Sequence, residues 1–352
     1  MTDVTDVHPG RQRTPASTRP APDRQGDRTR TSHRQLGSRL ALPAAWIVVL
    51  IVFSLLKPET FPTAANFQTI FGSQAVLVVL ALGLLIPLTT GDFDVSVAQV
   101  LAVSSMLVAL LNAKHGWPLG AAIAVALAAG VLVGAINALL VVGLQLDSFI
   151  ATIGMSSVLT GVVYSISGGR TISGIDDQLS NVVVLERVLG LAPAFWYGLL
   201  LCAALWFVFE YTPLGRRLLF TGRGRNVARL SGIRVGRVRA GALVASATIA
   251  AAAGVLYAGT LGGADPTSGA QFLFPAFAAV FLGSTTIVPG RFNPWGTVVA
   301  VYFLVSGITG LQLLGAQSYV QYLFYGIALI VAVALAQLVR MRRVREEASA
   351  GV

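Results

Sequence analysis

Three observations predict an all-α, polytopic membrane protein: a mean hydropathy of +0.74, ten successive apolar runs, and a one-sided distribution of positive charge. Hydrophobic residues make up 55% of the 352 and charged residues only 11%, where soluble chains carry about 25% charged residues. A helix that crosses a bilayer needs roughly 17 to 25 apolar residues. Runs of that kind lie near 41–56, 74–90, 95–112, 119–142, 148–167, 193–211, 240–260, 272–288, 294–314 and 319–339. With the N-terminus in the cytoplasm the loops alternate sides, and 21 of the 25 Lys and Arg residues then fall on the inner face. Positive charge is retained on that face, and ten spans with both termini cytoplasmic is the parity that suits both basic tails. The expected organisation is a tail over 1–39, a transmembrane domain over 40–340 and a C-terminal cytoplasmic tail over 341–352.

Residues 1–39 are rich in Arg, Pro, Thr and Ser and almost free of large apolar side chains. Such a segment cannot bury enough surface to offset its ordering entropy, so it is expected to be a disordered basic tail. It either stays solvated or lies on anionic lipid. About forty polar residues precede the first apolar run, so a cleavable signal is not expected and that run reads as a span.

Between the second and third spans stands Thr90-Gly91-Asp92-Phe93-Asp94-Val95-Ser96-Val97. Two carboxylates beside a glycine at a span boundary fit a gate or hinge, with Gly91, Asp92, Asp94 and Ser96 as its residues. Helix capping is the simpler alternative, since a carboxylate or hydroxyl there favours exposed amides and the helix dipole. Gly130 and Gly134, four apart, suit close helix packing. Trp46, Trp117, Trp196, Trp295 and Tyr319 lie near span ends, where interfacial anchors are expected. The single Cys202 lies within a span, which leaves no disulfide framework.

The loop 212–239 carries eight arginines. Thr212-Pro213-Leu214-Gly215 is expected to stop the sixth helix. Asn226-Val227-Ala228-Arg229-Leu230-Ser231-Gly232-Ile233 then reads as a small helix, with Asn226 as N-cap and Gly232 as C-terminal stop. Val227 and Leu230 share one face, beside the small Ala228 and Ser231. That face suits either a docking helix for a soluble partner or an amphipathic turn on headgroups.

Several chemistries are excluded. The only lysines, Lys57 and Lys114, end no G-x-x-x-x-G-K-[ST] loop, so the chain lacks the phosphate cradle of a P-loop ATPase. No H-E-x-x-H or paired-Cys metal spacing occurs. His8, His33 and His115 lie in the tail or a short outer loop. Asp92, Asp94, Asp147 and Glu210 all fall at span ends, so ion coupling through a mid-helix carboxylate is not indicated. The net charge of +10 follows from the one-sided bias and does not point to nucleic acid. Polar residues able to line a solute path are Gln99, Ser104, Ser105, Asn137, Thr152, Ser156, Ser157, Thr160, Tyr164 and Gln312. Of these Asn137, Thr152 and Tyr164 are taken as the path candidates, although a hydroxyl bonded to its own helix explains each of them as well.

From about residue 75 to 340 the chain resembles the permease subunits of bacterial ABC importers for monosaccharides, in the ribose/xylose/galactose branch. Thr90–Val97 is similar to that family's T-G-G-I-D-L-S-V element. Ser148-Phe149-Ile150-Ala151-Thr152-Ile153-Gly154 resembles its F-I-A-T-L-G helix start, and Gly168-Gly169-Arg170-Thr171-Ile172-Ser173-Gly174 resembles its G-G-R-P-I-S-G outer segment. Gly215-Arg216 through Ala228–Ile233 resembles its G-R…A-A-R-L-S-G-I loop. Three stretches depart from the pattern. Gly222-Arg223-Gly224-Arg225-Asn226 lacks the usual acidic pair, Pro275 replaces an acid, and Pro289–Gly296 replaces G-G-R-G-S-x-x-G. The resemblance implies a non-catalytic subunit of a bacterial inner membrane, with 226–233 as the coupling helix. It also implies a separate ABC ATPase that uses ATP and Mg, an extracytoplasmic sugar-binding protein, and a second permease copy or homologue. A stand-alone secondary carrier or channel is the alternative.

Overall fold

A hydrocarbon core offers backbone N–H and C=O groups no partners, so each apolar run satisfies them within itself as a helix. The computed structural model describes the backbone of residues 24–350 and the side-chain surroundings of 39–338 and Met341. The described residues from Ser38 onward form one compact unit. Residues 1–23 of the expected disordered tail lie outside the described residues; from Arg24 the chain is helical.

The helices in chain order are α1 (Arg24–Leu56), α2 (Ala64–Ser73), α3 (Ala75–Thr90), α4 (Val97–Ala109), α5 (Leu119–Ala138) and α6 (Ser148–Ser167). They continue with α7 (Asp177–Ser180), α8 (Pro193–Tyr211), α9 (Pro213–Arg223), α10 (Arg225–Leu230) and α11 (Val235–Leu261). Last come α12 (Ser268–Gly283), α13 (Pro294–Leu313) and α14 (Ser318–Ala350). The strands β1 (Ile172–Ser173) and β2 (Gly263–Ala264) pair antiparallel, Ile172 opposite Ala264 and Ser173 opposite Gly263.

Among the described residues nine helical segments are long and apolar enough to cross a membrane. The run expected over 272–288 differs: α12 has 16 residues, about 24 Å at 1.5 Å per residue, against a hydrocarbon core of about 30 Å. Turns continue it at both ends: Ser268 N–H bonds Asp265 O, Thr285 N–H bonds Leu282 O and Thr286 N–H bonds Gly283 O, and Thr286 Oγ1 then donates to Arg39 O at 2.7 Å. Ser268, Ser284 and Thr286 are buried, which is the condition for irregular backbone at membrane depth. The second apolar run is likewise longer than expected. The helix α2, whose Asn66, Gln68 and Thr69 mask its periodicity, is capped by Thr63 and breaks at Gln74 before α3 begins.

Every residue of α3 is buried, as a helix apolar on all sides must be. The neighbours α4, α8, α9, α11, α12 and α13 surround it. Gly130 and Gly134 of α5 meet α11 as their spacing predicts. A Cβ on Gly134 would stand 2.7 Å from Val244 Cα, and one on Gly130 would stand 2.9 Å from the Ala247 carbonyl. Trp46 departs from the anchor expectation. Its indole donates to Ser306 Oγ at 3.0 Å and stacks on Tyr302, so it belongs to the bundle.

Tertiary contacts sort the loops onto two ends. One end gathers Arg39 with Thr286, Arg291 with Glu210 (2.8 Å), and the 91–96 linker with the 212–239 segment. The other joins Asn112 to Asp176, Arg187 to Gln68, and Thr171 to Asp265. Among the described residues ten arginines lie at or near the first end, whereas Lys57, Lys114, Arg170 and Arg187 lie at the second.

Candidate functional site

The arginine-rich segment folds as two helices where one was expected. Proline and glycine do not leave a loop after α8. Thr212 caps α9 by accepting the Gly215 N–H at 3.3 Å, with Pro213 in the first turn, a position where the missing N–H costs nothing. Gly215, Leu218 and Thr221 turn inward. Gly222 lies against the end of α3, where a Cβ would collide with the Thr89 carbonyl.

After extended Gly224 the chain enters α10, so Asn226 sits in the first turn instead of capping it. The predicted stop at Gly232 is present. Its φ is +80°, its N–H bonds Arg229 O, and Ile233 N–H bonds Ala228 O, both at 3.0 Å. This is a Schellman closure. Ser231 Oγ turns back to Val227 O at 3.0 Å. Ala228 is wholly buried, while Val227 is 63% and Leu230 90% exposed, beside exposed Arg229. The six residues therefore present an apolar knob on a fixed base.

That base is the linker between α3 and α4. Gly91, at φ +80°, ends α3 in the same way, with its N–H on Leu88 O and the Asp92 N–H on Pro87 O. The linker is not helical and is buried at Asp92 and from Asp94 to Ser96, so its amides need other acceptors. Phe93 N–H finds Ser148 Oγ at 3.1 Å, Val95 N–H finds Thr152 Oγ1 at 3.0 Å, and Ser96 N–H finds Asp94 Oδ1 at 3.2 Å. The start of α6 thus serves as the linker's acceptor array.

Asp92 is fully buried and doubly paired. Arg239 grips it through both fork positions, Nε to Oδ2 at 2.8 Å and Nη2 to Oδ1 at 2.6 Å. Arg225 Nη2 reaches Oδ1 at 2.9 Å and the Gly91 carbonyl at 3.0 Å. Charge-assisted, two-pronged bonds of this kind are the strong class. Arg225 opens α10 and Arg239 lies in the first turns of α11, so one carboxylate ties both ends of the α10 segment to the linker. Neither arginine stood out in the sequence. The available signal was that a carboxylate buried at a span end requires a counter-charge, and only the basic segment could supply one.

Asp94 has a different environment. Ser96 donates its hydroxyl to Oδ1 at 2.6 Å, Asn137 Nδ2 donates to Ser96 Oγ at 2.8 Å, and Oδ2 is buried without a partner. Buried Asp92, Asp94, Ser96, Asn137 and Thr152 therefore form one cluster, with exposed Gly91 at its edge and α10 above it. Within that cluster Asn137 and Thr152 fasten the linker. Tyr164 is remote from them, 45% exposed near the far end of α6. Ser104, Thr160 and Ser157 bond helix carbonyls. Beside the cluster lies a cavity of about 860 Å³, walled by Phe93, Gln145, Asp147, Arg225, Arg229 and Arg239. Phe93 also joins an aromatic group with Phe149, Phe277 and Phe281.

A bundle of membrane-crossing helices, with an exposed amphipathic segment bolted to a buried interhelical linker, defines the membrane subunit of a transporter driven from outside the bilayer. The family model described as "Branched-chain amino acid transport system / permease component" matches residues 66–333, and the chain belongs to that family. It is similar to the ribose import permease protein of Bacillus subtilis (strain 168), 31% identical over 303 residues that cover 86% of this chain and 92% of the relative. The D-allose transport system permease protein of Escherichia coli (strain K12) is 30% identical, covering 83% and 89%. The fructose import permease protein of Rhizobium meliloti is 28% identical, covering 86% of each. No solved structure matches significantly.

Proposed function

We propose that this chain forms the membrane path of an ATP-binding-cassette importer for a monosaccharide or related polyol, in a bacterial inner membrane. The observation that carries the mechanism is the Asp92 tie: α10 offers an exposed apolar knob, and whatever moves α10 must move the linker between α3 and α4. A separate ATPase, using ATP and Mg, seats Val227 and Leu230 in a groove. Its closure and opening travel through Arg225, Arg239 and Asp92 to the linker, which shifts the inner gate. The chain itself performs no catalysis. The arginine-rich end is the cytoplasmic one by the positive-inside rule.

An extracytoplasmic sugar-binding protein docks at the opposite end, on the 168–192 and 261–271 segments. A second permease copy meets this one along α6. There Gly154 and Gly161 have open space where a side chain would stand, and small residues allow close helix approach. The similarity to import permeases named for ribose, allose and fructose supports the sugar class.

Proteoliposomes holding the chain with its ATPase and binding protein test the reading. Uptake of labelled sugar that requires internal ATP supports it. Uptake by the chain alone in ATP-free vesicles overturns it in favour of a stand-alone carrier.

A further inference from the structure

At the end opposite α10 the β1–β2 pair closes a cup of about 390 Å³, within the roughly 300–1,000 Å³ of small-molecule sites. Its wall is built chiefly from Thr171, Ser173, Tyr257, Asp265, Ser268 and Gln271. Close backbone approach fixes the rim, since a Cβ on Gly263 would collide with the Ile172 carbonyl. Thr171 donates to Asp265 Oδ2 at 2.7 Å, and Thr267 donates both its hydroxyl, at 2.5 Å, and its N–H, at 2.8 Å, to Oδ1. Those bonds, the ones from Thr267 first, hold the carboxyl below the usual carboxylate range. Oδ2 retains acceptor capacity beyond its single bond. Gln271 Nε2 makes only a long 3.4 Å bond to Tyr257 Oη, which leaves the amide oxygen and one hydrogen for a ligand.

The charge of this wall selects the ligand class. It carries one carboxylate and no Lys, Arg or His, so an anion is repelled and the carboxylate of an amino acid finds no counter-charge. A neutral molecule dense in hydroxyls meets a carboxylate, an amide and five hydroxyl groups whose oxygens can bond it.

We infer that this cup is a low-affinity subsite for the transported polyol, in which Asp265 and Gln271 bind vicinal hydroxyls as the sugar leaves its binding protein. The inference rests on the import reading above and adds to it where the sugar first touches the membrane subunit. A wall open to solvent and free of cations holds a sugar weakly, as transfer onward requires.

Cys202 is buried and is the only cysteine, so Ser173→Cys places a single accessible thiol in the cup. The complete complex, with ATPase and binding protein in proteoliposomes, is assayed with D-ribose, D-allose, D-fructose and D-galactose. The sugar that wild type imports should slow alkylation of the Ser173→Cys thiol by a charged methanethiosulfonate at least threefold, and sodium glutamate should not. Asp265→Asn and Gln271→Leu should each slow saturated uptake about tenfold, with the basal ATPase activity of the complex, measured without binding protein, unchanged.

If wild type imports a sugar that gives no protection, the subsite is overturned while the import reading stands. A rise in KM for the binding protein with unchanged saturated uptake also overturns it, and makes the cup a protein-docking surface. Uptake of sugar by the chain alone in ATP-free vesicles sinks the import reading, and the subsite with it.

Discussion

Arg239 grips Asp92 through two parallel bonds of 2.8 and 2.6 Å across 147 residues of sequence, joining the first turns of α11 to the linker that follows α3. Asp92 is fully buried and Arg239 is 15% exposed, whereas Arg225, the second partner, is 42% exposed. Removing one partner of a buried pair costs about 3–5 kcal/mol, because the other charge is left without compensation. Arg239→Ala is therefore expected to lower stability by about 3 kcal/mol. Arg225→Ala should cost under about 1 kcal/mol, since solvent screens its two bonds, to Asp92 Oδ1 and the Gly91 carbonyl. Thermal unfolding of the purified variants checks the order; a larger loss at Arg225 would reverse the assignment of the main tie.

Leu230 is 90% exposed, so Leu230→Asp should leave the melting temperature within the range of ordinary surface changes. A central apolar anchor contributes about 2 kcal/mol or more at an interface, equivalent to roughly thirtyfold in affinity. Affinity purification of the tagged chain should accordingly lose the ATPase in Leu230→Asp and retain it in wild type. Equal retention in both would remove α10 as the coupling element.

Two glycines two positions apart separate packing from backbone freedom. A Cβ at Gly222 collides with the Thr89 carbonyl, while one at Gly224 comes no closer than 3.7 Å, to Val227 Cγ2. Forcing a methyl into a packed contact costs about 1–3 kcal/mol. Gly222→Ala should lift α9 from the end of α3, lower the melting temperature and slow ATP-driven uptake. Gly224→Ala, at an extended φ of −178° that any residue adopts, should do neither. Similar behaviour of the two variants would show that the contact with Thr89 does not matter.

The spans, their alternation and the α10 stop were legible in the sequence because each depends on local signals: apolar length, arginine bias, and a glycine after an apolar pair. The shortness of α12 was not. Its apolar run continues past Gly283, but the close packing of that glycine on Gly296, and the bond of Thr286 to Arg39, end the helix early. The helix α9 stayed hidden because Pro213 and Gly215 read as breakers, although a proline in the first turn starts a helix as readily as it stops one. The cluster was legible as motifs but not as an assembly. That Ser148 and Thr152 serve the amides of Phe93 and Val95 is a contact across more than fifty residues, which spacing does not encode. Thr152 and Asn137 stood in the sequence as path candidates or bonded polar groups; the structure shows Thr152 bonded to the Val95 amide and Asn137 to the Ser96 hydroxyl.

Asp94 supplies the sharpest test of how the linker works. Its Oδ1 is committed to Ser96, its Oδ2 makes no hydrogen bond although the buried, unpartnered Ser246 hydroxyl lies beside the carboxyl, and both arginines of the cluster are turned to Asp92. A buried charge without a counter-ion is costly, so what the fold requires at this position is an acceptor for the Ser96 N–H and hydroxyl. An amide oxygen fills that role. Asp94→Asn is expected to melt no lower than wild type and to keep ATP-driven uptake within about threefold. Asp94→Ala strands the Ser96 amide, at a cost of about 1–3 kcal/mol, and should melt lower. Should Asp94→Asn stay fully folded yet abolish uptake, the charge or proton at position 94 would be part of the transport cycle, and ion coupling would have to be reconsidered.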